Sequence, residues 1–134
     1  MPWNNNREPD GVERAVSGFC YLSFGLVGLL YIILNGKGSK NDFFRFHFLQ
    51  AIVMGIAATL LQWTAQSFEL IFMGILGLFG GAEAAHSIIG VIGEIIGILS
   101  KIGFLVVLYG MLWAFLGKYA EIPVVSKLVR QQMR

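Results

Sequence analysis

Charged residues divide the chain into long apolar stretches. Between Arg14 and Lys37 lie 22 uncharged residues, Ala15 to Gly36, and between Arg45 and Glu69 lie 23, Phe46 to Phe68. A helix needs about 20 predominantly apolar residues to cross the hydrocarbon core of a bilayer. The pattern therefore predicts spanning helices at about 15–34 and 46–67. A third window, Ile102 to Gly117, holds 16 residues. It lengthens towards Glu94 if Lys101 lays its stem along the helix and reaches the headgroups, which predicts a third span at about 95–117. The stretch 69–93 contains an apolar run of 13, Leu70 to Ala82, broken by Gly80-Gly81 and followed by Glu83 and His86. Runs of that length are more often interfacial or re-entrant than spanning. The expectation is helical pieces at a membrane surface or a hairpin dipping partway in, with a fourth span as the alternative. Pro123 suits the first turn of a further helix. Beyond it Val125, Leu128, Val129 and Met133 fall on one face and Lys127, Arg130 and Arg134 on another. That pattern predicts a basic amphipathic helix over 123–134, suited to an anionic membrane surface or to docking of a soluble partner or ribosome. The fold expected is an all-α integral membrane protein. It is one domain over 1–134, a small bundle of three, alternatively four, transmembrane helices with a C-terminal amphipathic basic helix.

Composition agrees with this pattern. The 134 residues are 56% hydrophobic and 13% charged, with a mean hydropathy of +0.69, whereas soluble domains carry about 25% charged residues. Such a chain cannot cover a water-facing surface, which argues against a soluble enzyme, a disordered regulator or a nucleic-acid module. Its single Cys excludes an intramolecular disulfide and a Cys-based zinc site. A formal charge of +2 implies no nucleic-acid partner, but the positions of Lys and Arg bear on orientation. With three spans, Lys37, Lys40 and Arg45 share a side with Lys118, Lys127, Arg130 and Arg134, and the positive-inside rule places that side in the cytoplasm or stroma.

Inside lipid, close helix contact needs small residues. The third predicted helix carries Gly93, Gly97, Ser100, Gly103, Gly110, Ala114 and Gly117 at spacings that share a face. The first offers Gly18, Gly25 and Gly28, and the second Ala51, Gly55 and Ala58. These stripes either hold the bundle together or face another membrane subunit or a second copy. At the start of the second helix Arg45, His47 and Gln50 stand among Phe43, Phe44, Phe46 and Phe48. They are either an interfacial anchor or a set turned inward to bind a partner or client. Gln62, Thr64 and Gln66 beside Trp63 suit the far interface. Glu83 and His86 have the three-residue spacing used in carboxylate-bridged metal bundles, but those sites need two such pairs. No metal or cofactor is expected, and neither a nucleophile elbow nor a phosphate-binding loop appears, so catalysis is not expected.

Phe43 to Ile52, with Arg45, Phe46, His47, Gln50 and Ala51, and Gly117 to Ser126, with Ile122, Pro123 and Ser126, followed by Gln132 and Arg134, resemble the signature stretches of the Tic-twenty family. Its members are the small integral subunit of the protein translocon at the chloroplast inner envelope and cyanobacterial relatives. The family usually has four spans, one more than the three expected here. The resemblance implies a non-enzymatic membrane subunit of a protein translocation, import or insertion assembly. It would reside in the chloroplast inner envelope or a cyanobacterial plasma or thylakoid membrane, with the C-terminus cytoplasmic or stromal. Its partners would be the lipid bilayer, other membrane subunits such as translocon components, and further copies of itself. Arg45, His47, Gln50, Gly97, Gly103, Gly110, Gly117, Pro123, Lys127 and Arg130 are the candidate interface residues. The alternative is a structural or assembly subunit of a large photosynthetic membrane complex.

Overall fold

The computed structural model describes residues 8–35, 41–79 and 81–133. Five helices follow in order: α1 (Gly11–Leu22), α2 (Leu26–Asn35), α3 (Asp42–Leu78), α4 (Ala82–Phe115) and α5 (Val125–Gln132). There is no strand among the described residues. Two helical segments, Asp42–Leu78 and His86–Phe115, are long and apolar enough to cross a membrane, with hydropathies of 1.6 and 2.2. The chain divides into two compact units, one formed by the chain up to Ile56 and from Leu105 onward, the other by Ala57–Phe104.

In the first unit, the helix expected over 15–34 is two helices. α1 stops at Leu22 and α2 starts at Leu26. Phe24 (φ 51°) and Gly25 (φ 92°) take left-handed conformations, and Gly25 N–H donates to the Cys20 carbonyl at 2.8 Å. This is a Schellman end with an aromatic residue where glycine is usual. Ser23 serves both helices, since its hydroxyl donates to the Phe19 carbonyl at 3.0 Å and accepts from Val27 N–H at 3.1 Å. The reversal is held against α3. A Cβ at Gly55 would lie 2.7 Å from Phe24, and one at Gly25 would lie 2.6 Å from Ile52. Glu13, near the start of α1, bonds Asn41, just before α3, at 2.6 Å. Tyr31, on the return leg, packs on Phe44 with ring centroids 5.3 Å apart. α1 therefore runs alongside the first turns of α3 and α2 runs back along them. With 12 and 10 residues the two legs are about 18 Å and 15 Å long at 1.5 Å per residue. Neither alone matches a hydrocarbon core of about 30 Å.

Asn41 caps α3, its Oδ1 accepting from Phe43 N–H at 3.0 Å. Asp42 occupies the first turn, where a carboxylate complements the helix dipole. The segment of α4 after Leu105 packs against α1, because a Cβ at Gly110 would lie 2.6 Å from the Tyr21 ring and one on Gly18 2.6 Å from Phe115. α4 then ends on Gly117 (φ 71°). Lys118 N–H donates to the Trp113 carbonyl at 2.9 Å and Gly117 N–H to the Ala114 carbonyl at 3.0 Å. Gly117 thus terminates the helix rather than extending its packing stripe. The core of this unit is Cys20, Tyr21, Phe44, Ala51 and Ala114.

In the second unit, α3 continues to Leu78 and α4 begins at Ala82. The stretch 69–93, expected as interfacial pieces or a dipping hairpin, is therefore the end of one helix, a turn and the start of the next. Gly81 N–H donates to the Leu76 carbonyl at 3.0 Å across the turn. Glu69 and Glu94 do not interrupt their helices. Charge limits what hydrocarbon accepts, whereas Glu is a good helix former. No residue of this unit whose exposure is described is buried. Its large apolar side chains, such as Leu60, Trp63, Leu70, Ile71, Ile95 and Ile98, are exposed, a surface that calls for lipid or a partner.

Candidate functional site

His47 and Gln50 lie three residues apart on α3 and are fully buried. Tyr21 of α1 reaches both, its hydroxyl 2.9 Å from His47 Nδ1 and donating to Gln50 Oε1 at 2.9 Å. On their other side runs the chain leaving α4. His47 Nε2 lies 3.0 Å from the Lys118 carbonyl, and Gln50 Nε2 donates to the Ala120 carbonyl at 3.2 Å and to Ser126 Oγ at 3.4 Å. Ser126 Oγ accepts from Ile122 N–H at 2.7 Å and donates to the Ala120 carbonyl at 3.2 Å. One cluster thus fastens α1, α3 and the C-terminal segment together.

The protons of this cluster can be counted. The Lys118 carbonyl only accepts, so His47 Nε2 carries the hydrogen between them. In the neutral ring Nδ1 is then an acceptor. The single Tyr21 hydroxyl proton faces two acceptors, Nδ1 and Gln50 Oε1, and is shared between them. Gln50 and Ser126 use their donors fully. Two buried polar atoms of this unit, Ser17 Oγ and Trp113 Nε1, have no hydrogen-bond partner.

A second cluster closes the same end of the unit. Buried Glu13 accepts through Oε2 from Asp10 N–H at 2.9 Å and from Asn41 Nδ2 at 2.6 Å. Around His47, Tyr119 packs on the edges of Phe43 and Phe46 and stacks on the imidazole. Burial, with Asp42 nearby, raises the Tyr119 hydroxyl above its ordinary 10.0, and Arg130 opposes this. A cavity of about 280 Å³ is lined by Phe46, Tyr119, Arg130 and Met133.

The candidate residues separate into groups. His47 and Gln50 join one cluster, with Arg45 half-buried on the same turns of α3. Arg130 pairs with Glu121 and stands 5.9 Å from the Phe46 ring centroid, while Lys127 is exposed. Pro123 lies two residues ahead of α5 instead of in its first turn, inside a tight turn closed by Val125 N–H on the Pro123 carbonyl at 2.9 Å. Of the apolar face predicted for α5, Val129 is buried, Val125 and Met133 are half-buried and Leu128 is 48% exposed, and Ser126 turns inward beside Val129. Arg134 lies outside the described residues. Gly110 packs on Tyr21, but Gly97 and Gly103 belong to the second unit, where a Cβ on either would meet nothing within 4 Å. Among the described residues no three His, Cys, Asp or Glu side chains are grouped to hold a metal ion.

Tyr21, Glu13 and Asn41 complete the clusters without having been singled out in the sequence. The available signal was a phenol inside an uncharged window, which needs a polar partner when buried. The class these features define is an all-helical protein with two helices long and apolar enough to span a membrane. The chain matches no protein-family model, no curated protein and no solved structure.

Proposed function

We propose that the chain is a non-enzymatic membrane subunit of a protein translocation or insertion assembly, as the Tic-twenty resemblance implies. The observation that carries the reading is the joining of the two segments behind that resemblance. Arg45–Ala51 and Gly117–Ser126 are far apart in sequence, yet His47 and Gln50 of one are hydrogen-bonded to Lys118, Ala120 and Ser126 of the other. The signature is thereby one structural device, a clasp that fixes the exit of α4 against α3.

In this reading α3 and α4 cross the membrane and the α1–α2 hairpin enters and returns on the side where α3 begins. The charges support it. Nine of the ten Lys and Arg residues precede Phe46 or follow Gly117, leaving Lys101. With two spans all nine share a side, which the positive-inside rule makes cytoplasmic or stromal. The membrane would be the chloroplast inner envelope or a cyanobacterial plasma or thylakoid membrane.

The test is a gentle-detergent pull-down of the tagged full-length protein followed by mass spectrometry. Translocon subunits, chaperones or precursor proteins among the partners are expected. Photosystem or other complex subunits without translocation machinery would overturn the reading in favour of a structural or assembly subunit.

A further inference from the structure

The cavity beside the clasp has walls from three parts of the first unit. Phe46 comes from the start of α3, Tyr119 from the chain just past α4, and Arg130 and Met133 from α5 and its end; together they line about 280 Å³. The beginning of one long helix and the end of the other therefore meet here. In the membrane reading this is the level at which both leave the hydrocarbon, so the cavity lies among lipid headgroups. Leu116 and Val124, before and after Tyr119 in the chain, keep exposed apolar side chains at the same level.

Its polar lining is rich in unused donors. A guanidinium carries five N–H groups and no acceptor. Arg130 commits one of them, from Nη2 to Glu121 Oε1, and its side chain is otherwise largely exposed. It stands 5.9 Å from the Phe46 ring centroid, an approach that holds it over the aromatic wall. Tyr119 is fixed through its ring by Phe43, Phe46 and His47, but its hydroxyl has no hydrogen-bond partner among the described residues. Burial and Asp42 keep that hydroxyl protonated at neutral pH, so it too is a donor. The complement is a compact group with several acceptor oxygens. A guanidinium fork matches phosphate, and a cavity at the small end of ligand sites holds a headgroup rather than a protein segment. At this depth the phosphates are those of lipid. Nine of the ten basic residues gather on this side, and the cytoplasmic leaflet that such a bias marks carries the anionic lipids.

We propose that this cavity seats the phosphate headgroup of an anionic phospholipid, with Arg130 and the Tyr119 hydroxyl donating to its oxygens and Phe46 and Met133 covering the glycerol carbons. Glu121 keeps Arg130 in place while the remaining N–H groups reach the phosphate. Bound there, the lipid ties α3, the exit of α4 and α5 together from outside, as the clasp does from within. The proposal rests on the membrane reading of the chain. It is independent of translocation, since the test contains no protein partner.

The experiment is native mass spectrometry of the full chain in a neutral detergent, titrated with phosphatidylglycerol, phosphatidylcholine, diacylglycerol or glycerol 3-phosphate. Phosphatidylglycerol should bind as a single adduct, about tenfold tighter than diacylglycerol, the size of one charge-assisted hydrogen bond. Phosphatidylcholine, whose choline brings a second cation towards Arg130, should bind less tightly than phosphatidylglycerol. Arg130→Gln should weaken phosphatidylglycerol binding about tenfold and Tyr119→Phe about threefold. Lys127→Gln removes a cation of the same helix that does not line the cavity and should leave binding unchanged. All three variants should melt like the unaltered protein at neutral pH without added lipid. Equal binding of phosphatidylglycerol and either other lipid would overturn the proposal. So would a loss as large in Lys127→Gln as in Arg130→Gln, the mark of diffuse charge attraction. Glycerol 3-phosphate binding as tightly as the lipid would overturn the lipid assignment in favour of a free phosphate ester.

Discussion

At the scale of single residues, two serines separate a satisfied hydroxyl from an orphan. Ser126 donates once and accepts twice inside the clasp, whereas Ser17, equally buried, has no partner. Removing a satisfied buried hydroxyl strands its neighbours, and removing an unsatisfied one relieves its lost hydration. Ser126→Ala should therefore destabilise the protein by about 1–3 kcal/mol and Ser17→Ala should be neutral or stabilising by about 1 kcal/mol. Thermal unfolding in one detergent reads both, and a fall of equal size for the two would refute the assignment. Tyr119 supplies a pH dependence. Its hydroxyl is held above 10.0 by burial and by Asp42, so the folded protein keeps a proton that the unfolded chain releases. The associated stability is fully present below about pH 10 and is lost as pH rises through the folded value. Melting temperature should fall above that pH, and less steeply in Tyr119→Phe. From sequence, His47 and Gln50 are open between an interfacial anchor and a set turned inward to a partner, and the structure buries both inside the chain's own helices. Their partners are not legible in the sequence, because two are backbone carbonyls at Lys118 and Ala120, which no side-chain pattern reveals.

At the scale of elements, the glycines fall into two classes that spacing alone could not distinguish. Gly28 and Gly110 are closed in, since a Cβ there would lie 2.5 Å from Phe48 and 2.6 Å from Tyr21 respectively, while Gly97 faces open space. Gly110→Leu should lower the unfolding midpoint strongly, an overpacking cost of about 1–3 kcal/mol or more, and Gly97→Leu should leave it unchanged. If the two substitutions cost the same, the division between a packed and an open stretch of α4 fails. Val124 offers a test of opposite sign. It is a β-branched residue at φ 70°, ψ −54°, the strained γ-turn region, and is 72% exposed. Val124→Gly should relieve about 1 kcal/mol of backbone strain with little packing lost, seen as a small rise in melting temperature. The uncharged windows located the apolar segments well because they measure what hydrocarbon accepts. They misjudged element ends for the same reason. Ser23-Phe24-Gly25 reverses the chain without a charge, and Glu69 and Glu94 carry charges without ending a helix.

At the scale of the molecule, the reversal at Phe24 changes which ends of the chain share a side. A straight helix over 15–34 would put the residues before it and those after it on opposite faces of a bilayer. The hydrogen bond between Glu13 and Asn41 requires them to be neighbours, and the approach of Arg14 to Gly117, 2.7 Å from a Cβ built there, brings the end of α4 to the same place. Single cysteines placed by Glu8→Cys, Lys40→Cys, Glu83→Cys and Lys127→Cys in a Cys20→Ser background test this with a membrane-impermeant maleimide on oriented vesicles. Two crossings predict that positions 8, 40 and 127 react from one side and position 83 from the other. Three crossings would pair 8 with 83 against 40 and 127, and four would separate 40 from 8 and 127. The two-crossing outcome also accounts for the charge distribution. It gathers nine of ten basic residues on one face, the bias that the positive-inside rule expects of a cytoplasmic side.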